Sequence, residues 1–194
     1  MKLTHALLGA LALPMTLAAQ GSTNPPPDPL TTTFRGPTLT LQTNLAQAFD
    51  SIPEAKFGYK PTPAQLTIGY IAQHLASDNY FFCNNFGTMK ATISAKDSAT
   101  ADSVKAKWPK DELVAKLKAS FKFCEDAFAQ LHDSNLADQI TIQAGPTTRT
   151  ITRARMVLGH AMDMADHYSQ IANYMRLNNL TPPTALPRPG RGGN

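Results

Sequence analysis

Residues 147–178, TTRTITRARMVLGHAMDMADHYSQIANYMRLN, are the stretch that decides the fold of this chain. Apolar residues recur along it alternately four and three positions apart, which is the spacing of a helix packed in a bundle. They are Val157, Ala161, Met164, Tyr168, Ile171 and Met175. Because Gly145 and Pro146 precede the stretch as a breaker, it predicts one long helix from about Thr147 to Asn178.

Three further stretches carry apolar residues at helical spacing. They predict helices over residues 38–51, over residues 62–86 with Thr62 as N-cap and Pro63 in the first turn, and over residues 109–132. No stretch shows the alternation of a strand over a useful length. The sequence therefore predicts an all-α fold with four long helices.

The segments between and around these helices are polar or rich in proline. Residues 20–37 predict a flexible leader, residues 87–107 a long crossover, and residues 184–194 a disordered tail. The hydrophobic content of 42% suits one globular domain, which we place at residues 38–183.

Residues 1–19, MKLTHALLGALALPMTLAA, have the layout of a secretory signal peptide. Lys2 precedes an apolar run over residues 6–13, which is shorter than the roughly 20 residues that span a bilayer. Cleavage after Ala18 and cleavage after Ala19 both remain open. We therefore expect a periplasmic or secreted protein with no stable membrane insertion after cleavage.

The charge pattern argues against nucleic acid as a partner. The chain has 18 basic and 14 acidic residues, and this balance is far from the positive density that tracks a phosphate backbone. A Gly-rich phosphate loop and a strained nucleophilic serine are also missing from the sequence. The expected partner is a small molecule of unknown identity, and a homodimer stays open.

The chain contains two cysteines, Cys83 and Cys124. An even count in an exported chain favours a disulfide, because the periplasm and the cell exterior are oxidising. The alternative is a pair of buried thiols that act as small hydrophobic side chains. Their apolar neighbours, in FFCNNF and FKFCEDAF, argue against a reactive cysteine.

Several polar residues lie on or beside the apolar stripes of two predicted helices. Asp163 and His167 are four apart, so their side chains lie one turn apart and can share one metal ion. His74 is placed to supply a third ligand from the second helix, and Asp78 could orient that imidazole or bind as well. His160 lies two turns from His167 and makes a poorer pair with it, but it remains a possible additional ligand.

Nitrogen and oxygen ligands without thiolate suit a divalent Zn, Ni, Fe or Mn ion, and three ligands leave positions open for water. The structural alternative is that these histidines are ordinary core residues. His132 beside Asp133 is interpreted as a charge that interacts with the C-terminal dipole of the third helix. If a metal is bound, Asp166 or Tyr168 could assist proton transfer.

The sequence resembles the DinB-like superfamily from about Leu39 to Pro183. The resemblance rests on IPEAKFGYKPTPAQLTIGYIAQHLASDNYFFC from Ile52, KASFKFCEDAFAQL from Lys118 and DMADHYSQIANYMRLNNLTPP from Asp163. It implies an up-down-down-up four-helix bundle, with parallel second and third helices joined by a long crossover. It also implies that the two cysteines lie at similar heights, where a disulfide is geometrically reasonable.

The family's metal ligands fall on His74, Asp163 and His167 of this chain. The sequence departs from the family pattern, which usually has His at position 163 and Gly where this chain has Ser169. The family includes metal-dependent hydrolases and transferases that use low-molecular-weight thiols, which are mainly cytosolic. We therefore expect an exported divalent-metal-dependent hydrolase of unknown substrate. The alternative is a non-catalytic envelope bundle that binds a small ligand or partner protein and has a degenerate metal site.

Overall fold

The computed structural model describes residues 27–187, and this part of the chain is mostly helical with one small sheet. The predicted signal peptide and the chain ends outside this range are not described. No helix within it is both long and apolar enough to cross a membrane. Its helices are α1 (Pro29–Ser51), α2 (Ile68–Phe86), α3 (Ala95–Ala99), α4 (Asp102–Lys105), α5 (Lys110–Phe128) and α6 (Arg153–Leu177), and its strands are β1 (Gln139–Ala144) and β2 (Thr147–Thr152).

The four long helices enclose the main core. Helix α2 packs against α5 and α6, and α1 packs against the same two helices from the other side. Burial of each large apolar side chain there contributes about 1.5–3 kcal/mol. The core is built from the predicted apolar stripes and includes Leu45, Phe49, Ile71, Leu75, Leu117 and Ile171.

Two contacts show that α2 and α5 run in the same direction. The sulfur atoms of Cys83 and Cys124 lie at disulfide-bonding distance, with the Cα atoms 5.3 Å apart. One turn earlier on both helices, the side-chain amide of Asn79 donates to the hydroxyl of Ser120 at 2.8 Å. The cysteine geometry is that expected of the predicted disulfide.

Helix α6 runs opposite to α2. The ring of His74, near the start of α2, faces the ring of His167, which lies in the later half of α6. Further along α2, Asn79 meets His160, which lies earlier on α6. Helix α6 therefore brings polar side chains against α2 at two separate heights.

Helix α1 begins at Pro29, so the prediction of a flexible leader over residues 20–37 is wrong for its second part. Asp133 satisfies the first amides of α1, because its carboxylate oxygens accept from the N–H groups of Leu30 at 3.0 Å and Thr31 at 2.7 Å. A cap from so distant a residue leaves no local signal. The proline at position 29 is tolerated because the first turn needs no amide from it.

A neighbouring contact overturns the interpretation of His132 as a charge that interacts with the C-terminal dipole of α5. Helix α5 ends at Phe128, before the predicted end, and His132 Nδ1 lies 2.8 Å from Asp28 Oδ2. Asp28 also accepts a hydrogen bond from the backbone N–H of Asp133 at 2.9 Å. His132 therefore helps to hold the start of α1 and does not cap α5.

Helix α2 begins at Ile68, later than predicted, and its N-cap is Thr67 instead of Thr62. The Thr67 hydroxyl accepts from the N–H of Tyr70 at 3.1 Å. The N–H of Ile68 donates to the carbonyl of Tyr59 at 3.1 Å. Because both of these early amides find acceptors here, the helix starts after Thr67 and not after Thr62.

The crossover between α2 and α5 is more regular than predicted, since it contains α3 and α4. Ser94 caps α3 by accepting from the N–H of Asp97 at 3.1 Å. The crossover also approaches α2 very closely. A Cβ atom placed on Gly69 would lie 2.3 Å from the carbonyl oxygen of Ala106, so only glycine fits there without displacement.

An antiparallel hairpin, β1 and β2, precedes α6, so the prediction of an all-α fold is wrong in this segment. The predicted start of the helix at Thr147 belongs to β2, and α6 begins at Arg153. Isoleucine and threonine are β-branched and favour strands. Gly145, with φ of +61°, makes the turn, so this glycine connects two strands instead of ending a loop before a helix.

The predicted disordered tail over residues 184–194 begins with a residue, Thr184, that is hydrogen-bonded to α6. Residues 183–185 form a short 3-10 helix. The hydroxyl of Tyr168 donates to the Thr184 hydroxyl at 2.9 Å and accepts from the N–H of Thr184 at 3.1 Å. The prediction of disorder is therefore wrong for residues 184–187, and the later residues lie outside the described range.

We predict that Gly69→Ala lowers the free energy of unfolding by about 1–3 kcal/mol, the usual cost of overpacking a closed site. The added methyl group would meet the Ala106 carbonyl, which belongs to the backbone and cannot rotate away. Gly58→Ala is the matched control, because a Cβ atom there has no neighbour within 4 Å. Urea denaturation of both variants measures the difference, and equal stabilities would contradict the close approach.

Candidate metal centre

His74, Asp163 and His167 converge between α2 and α6. Each offers one ligand atom, and these atoms lie within 4.8 Å of one another. The two imidazole rings are 5.0 Å apart between centroids and perpendicular, and Asp163 Oδ1 lies 3.6 Å from His167 Nε2. The predicted spacing of four residues on α6 and the inward position on α2 together produce this cluster.

The cluster lies at the edge of the core, where it is only partly covered. The side chain of His167 is 7% exposed, that of Asp163 20% and that of His74 31%. One side of the cluster thus faces the packed helices and the other faces solvent. A small molecule can approach from the exposed side.

One atom of the cluster, Asp163 Oδ2, is buried without a hydrogen-bond partner in the described part of the chain. Leaving a buried polar atom unpaired costs roughly 1–3 kcal/mol. A cation would relieve such a cost at the carboxylate, and neutral imidazole and carboxylate are both ordinary ligands of divalent metals. The residues present therefore fit a metal ion.

Asp78 stands behind His74, with Asp78 Oδ2 3.3 Å from His74 Nε2. A carboxylate at this distance fixes the orientation of an imidazole and raises its basicity as a ligand. Burial raises the pKa of Asp78, while the nearby His74 opposes that rise. The structure thus places Asp78 next to His74, and Asp78 is not among the three residues whose ligand atoms converge.

Burial also sets the protonation states within the cluster. It raises the pKa of Asp163 to about 6, with a further contribution from the negative charge of Asp78. Burial and the neighbouring His74 hold the pKa of His167 below its usual value. His167 is therefore neutral at neutral pH, which is the form that binds metals.

His160 does not join this cluster, so it is not placed to serve as the additional ligand. It is fully buried two turns away, where its Nε2 lies 2.9 Å from Asn79 Oδ1 and 3.7 Å from Cys124 Sγ. Burial lowers its pKa to about 3, so it is neutral. His160 packs against the cysteine pair and serves the core.

Sequence reasoning missed Asn79, which connects three helices. Its side chain lies on α2 and contacts Ser120 on α5 and His160 on α6. The available signal was a polar amide inside an apolar stretch of α2, fully buried in the structure. A buried amide of this kind needs partners, and the sequence alone does not say which.

Neither residue proposed for proton transfer is directed at the cluster by its hydrogen bonds. The Tyr168 hydroxyl is engaged by Thr184, and the carboxylate of Asp166 accepts from the Gln170 amide at 2.7 Å. Tyr168 therefore holds the chain after α6. The prediction of a proton-transfer role finds no support in these contacts.

The structure thus combines a helical core with a partly exposed cluster of two histidines and a carboxylate. The family model of the DinB superfamily matches residues 38–171. The chain is thus a member of the DinB superfamily. Among curated proteins compared by sequence, none matches it.

Solved structures show the same fold at low sequence identity. A mycothiol-dependent maleylpyruvate isomerase superposes with a TM-score of 0.58 at 14% identity, over 73% of this chain and 60% of the isomerase. A DinB-like protein from Bacillus cereus gives 0.57 at 15%, over 75% and 93% of the two chains. A conserved protein from Enterococcus faecalis gives 0.56 at 16%, over 76% and 96%. The chain thus spans about 60% of the length of the isomerase.

We predict that Asp163 makes a contribution to the stability of the metal-free protein that falls as the pH rises from about 4 to 7, so that Asp163→Asn gains stability relative to the wild-type protein over this range. The folded pKa of Asp163, about 6, lies above its usual value of 3.8. Its contribution is therefore complete below 3.8 and is lost as the pH rises through 6. After allowance for solvent screening, the difference is on the order of 1–2 kcal/mol.

Thermal unfolding in chelator across this pH range measures the effect. The lowered pKa values of His160 and His167 act in the opposite sense, since their stabilisation is present above 6.5 and is lost as the pH falls. The readout is therefore the difference between the two proteins at each pH and not the net slope of either one. The comparison with Asp163→Asn isolates the carboxyl group. Identical pH profiles for the two proteins would contradict the raised pKa.

Proposed function

We propose that this protein is an exported metal-dependent hydrolase that acts on a small molecule. His74, Asp163 and His167 hold a divalent ion. The observation that carries the proposal is the convergence of these three donor groups within 4.8 Å. The buried, unpaired Oδ2 atom of Asp163 adds to it, since a folded protein rarely leaves such an atom without a partner.

The helix directions support the finer topology that we propose for the fold, an up-down-down-up bundle. Helices α2 and α5 are parallel through their cysteine and Asn79 contacts, and α6 is antiparallel to α2. In this arrangement the ligands come from two antiparallel helices. Each ligand then rests on a rigid element, which favours a fixed coordination geometry.

The residues at this site have separate roles in binding the ion. A bound divalent ion supplies Lewis acidity, which makes water more acidic and polarises an oxygen atom of the substrate. His167 is neutral and rigidly packed, so it binds without first losing a proton. Asp78 holds the ring of His74 in place. Asp163 contributes the one negative charge among the three ligands, and with a pKa of about 6 it is largely ionised at neutral pH.

We propose hydrolysis and not a thiol-dependent reaction because of the compartment in which we expect the protein. The isomerase of similar fold is mycothiol-dependent, and low-molecular-weight thiols are mainly cytosolic. Residues 1–19 have the pattern of a signal peptide, and the cysteine pair at bonding distance suits an oxidising compartment. Both observations support export to the periplasm or the exterior, where water is the available nucleophile.

We predict that the protein purified without a His tag contains about one divalent metal ion per chain and that His167→Ala loses it. The substitution removes a ligand from a set of three. His132→Ala is the matched control, because this histidine lies outside the cluster and its side chain is 62% exposed. Elemental analysis of the three proteins measures the metal. A metal-free wild-type protein, or equal metal in His167→Ala, would refute the site.

A second measurement tests the reaction. We predict that hydrolysis of a panel of ester, amide and phosphoester model substrates is abolished by a chelator and restored by metal. His74→Ala should lower the rate at least tenfold, because removal of a ligand disturbs the ion that assists the reaction. Hydrolysis that persists in chelator would count against the proposal. A protein that binds metal without hydrolysing any of these compounds would favour the non-catalytic alternative.

A further inference from the structure

A cavity of about 560 Å³ lies between α2, α5 and the crossover. Its volume is typical of sites for small organic molecules, about 300–1,000 Å³. The metal cluster does not contribute to its wall, because Gln73 lines the cavity while the next residue, His74, lies about 100° further around the helix and faces α6. Side chains from all three elements form the wall, including Gln73, Ser77, Tyr80, Asp97, Trp108 and Lys116.

Gln73 is the unusual part of this wall. Its side chain is buried, with 4% exposure, and neither atom of its amide has a hydrogen-bond partner in the described part of the chain. A buried amide without partners is costly, and an apolar residue would fill the same place more favourably. A ligand that offers one donor and one acceptor side by side would satisfy both atoms after a rotation of the side chain.

Aromatic side chains border the same space. Trp108, the single tryptophan of the chain, is half-buried there, and the ammonium groups of Lys96 and Lys116 lie 4.3 and 5.1 Å from the centre of its ring. Tyr80 lies on α2. Burial and the charge of Asp97 raise the pKa of Tyr80, so its hydroxyl stays protonated. Planar rings in such a wall favour a planar, apolar ligand body.

The cations of the wall already have anionic partners. Lys116 Nζ lies 2.9 Å from Asp97 Oδ2, and Lys105 Nζ lies 2.9 Å from Asp102 Oδ1. The wall therefore offers little unpaired positive charge to a carboxylate. A carboxylate would also leave the carbonyl oxygen of Gln73 without a donor.

We propose that this cavity binds a small planar molecule that carries an aromatic ring and a carboxamide group. The ring packs between the side chains of Trp108 and Tyr80. The carboxamide exchanges two hydrogen bonds with the amide of Gln73, one in each direction. The ion pairs between Lys116 and Asp97 and between Lys96 and Glu112 hold the crossover over the ligand.

The test uses benzamide, toluene and benzoate as probes of one ring with three different substituents. The readout is the NMR signal of the Trp108 indole N–H, which is unique in the chain, and chelator is present throughout so that metal binding does not contribute. We expect saturable binding of benzamide, tighter than toluene or benzoate by roughly threefold to tenfold, the range that one net hydrogen bond provides.

Variants assign the preference to Gln73. Gln73→Leu should remove the advantage of benzamide over toluene. Gln42→Leu should keep it, because Gln42 is an equally buried glutamine with an unpaired amide that lines a different groove. Ser77→Phe fills the cavity from an exposed position and should abolish binding of every probe, a result that does not depend on the folding of Gln73→Leu.

Three results would overturn the proposal. They are equal affinities for benzamide and toluene in the wild-type protein, tighter binding of benzoate than of benzamide, and probe binding that survives Ser77→Phe. The second result would assign the cavity to anions through its lysines. The third would place the binding elsewhere on the protein.

Discussion

The parallel pairing of α2 and α5 is the constraint on which the rest of the structure depends. Two consecutive helices that run in the same direction cannot be joined by a tight turn. The chain must first return along the length of a 19-residue helix, about 28 Å. The crossover with α3 and α4 makes this return, and the bonded sulfur atoms of Cys83 and Cys124 hold the two helices together near their ends.

Helix α2 consequently packs against three neighbours, α5, α6 and the crossover, through three different faces. One face meets α5, a second carries His74 towards α6, and a third lies under the crossover. Asn79 holds the first two faces in register, since it contacts both Ser120 and His160. The neutral state of His160 is consistent with this role, because a charged imidazole would be costly at a fully buried position.

The sequence predicted the parts of the molecule that follow from local spacing. The seam of α6, the pair Asp163 and His167, and the inward position of His74 all depend on helical periodicity, and all lie where the pattern put them. The start of α1 depends on Asp133, about a hundred residues away in sequence, so no local pattern could reveal it. The hairpin was missed because two six-residue strands joined at Gly145 look like a loop that ends before a helix.

Gly69 gives the later part of the crossover a fixed position against α2. The backbone of α4 rests on α2 with no room between Gly69 and the Ala106 carbonyl, so residues near Ala106 cannot slide or lengthen. Thr92, Ile93 and Ser94 lie between Gly87 and α3, far from this point in the chain. Insertions and deletions among relatives should accordingly accumulate in that earlier part. Family members can then vary the start of the crossover while α2 and α6, which carry the ligands, keep their positions relative to each other.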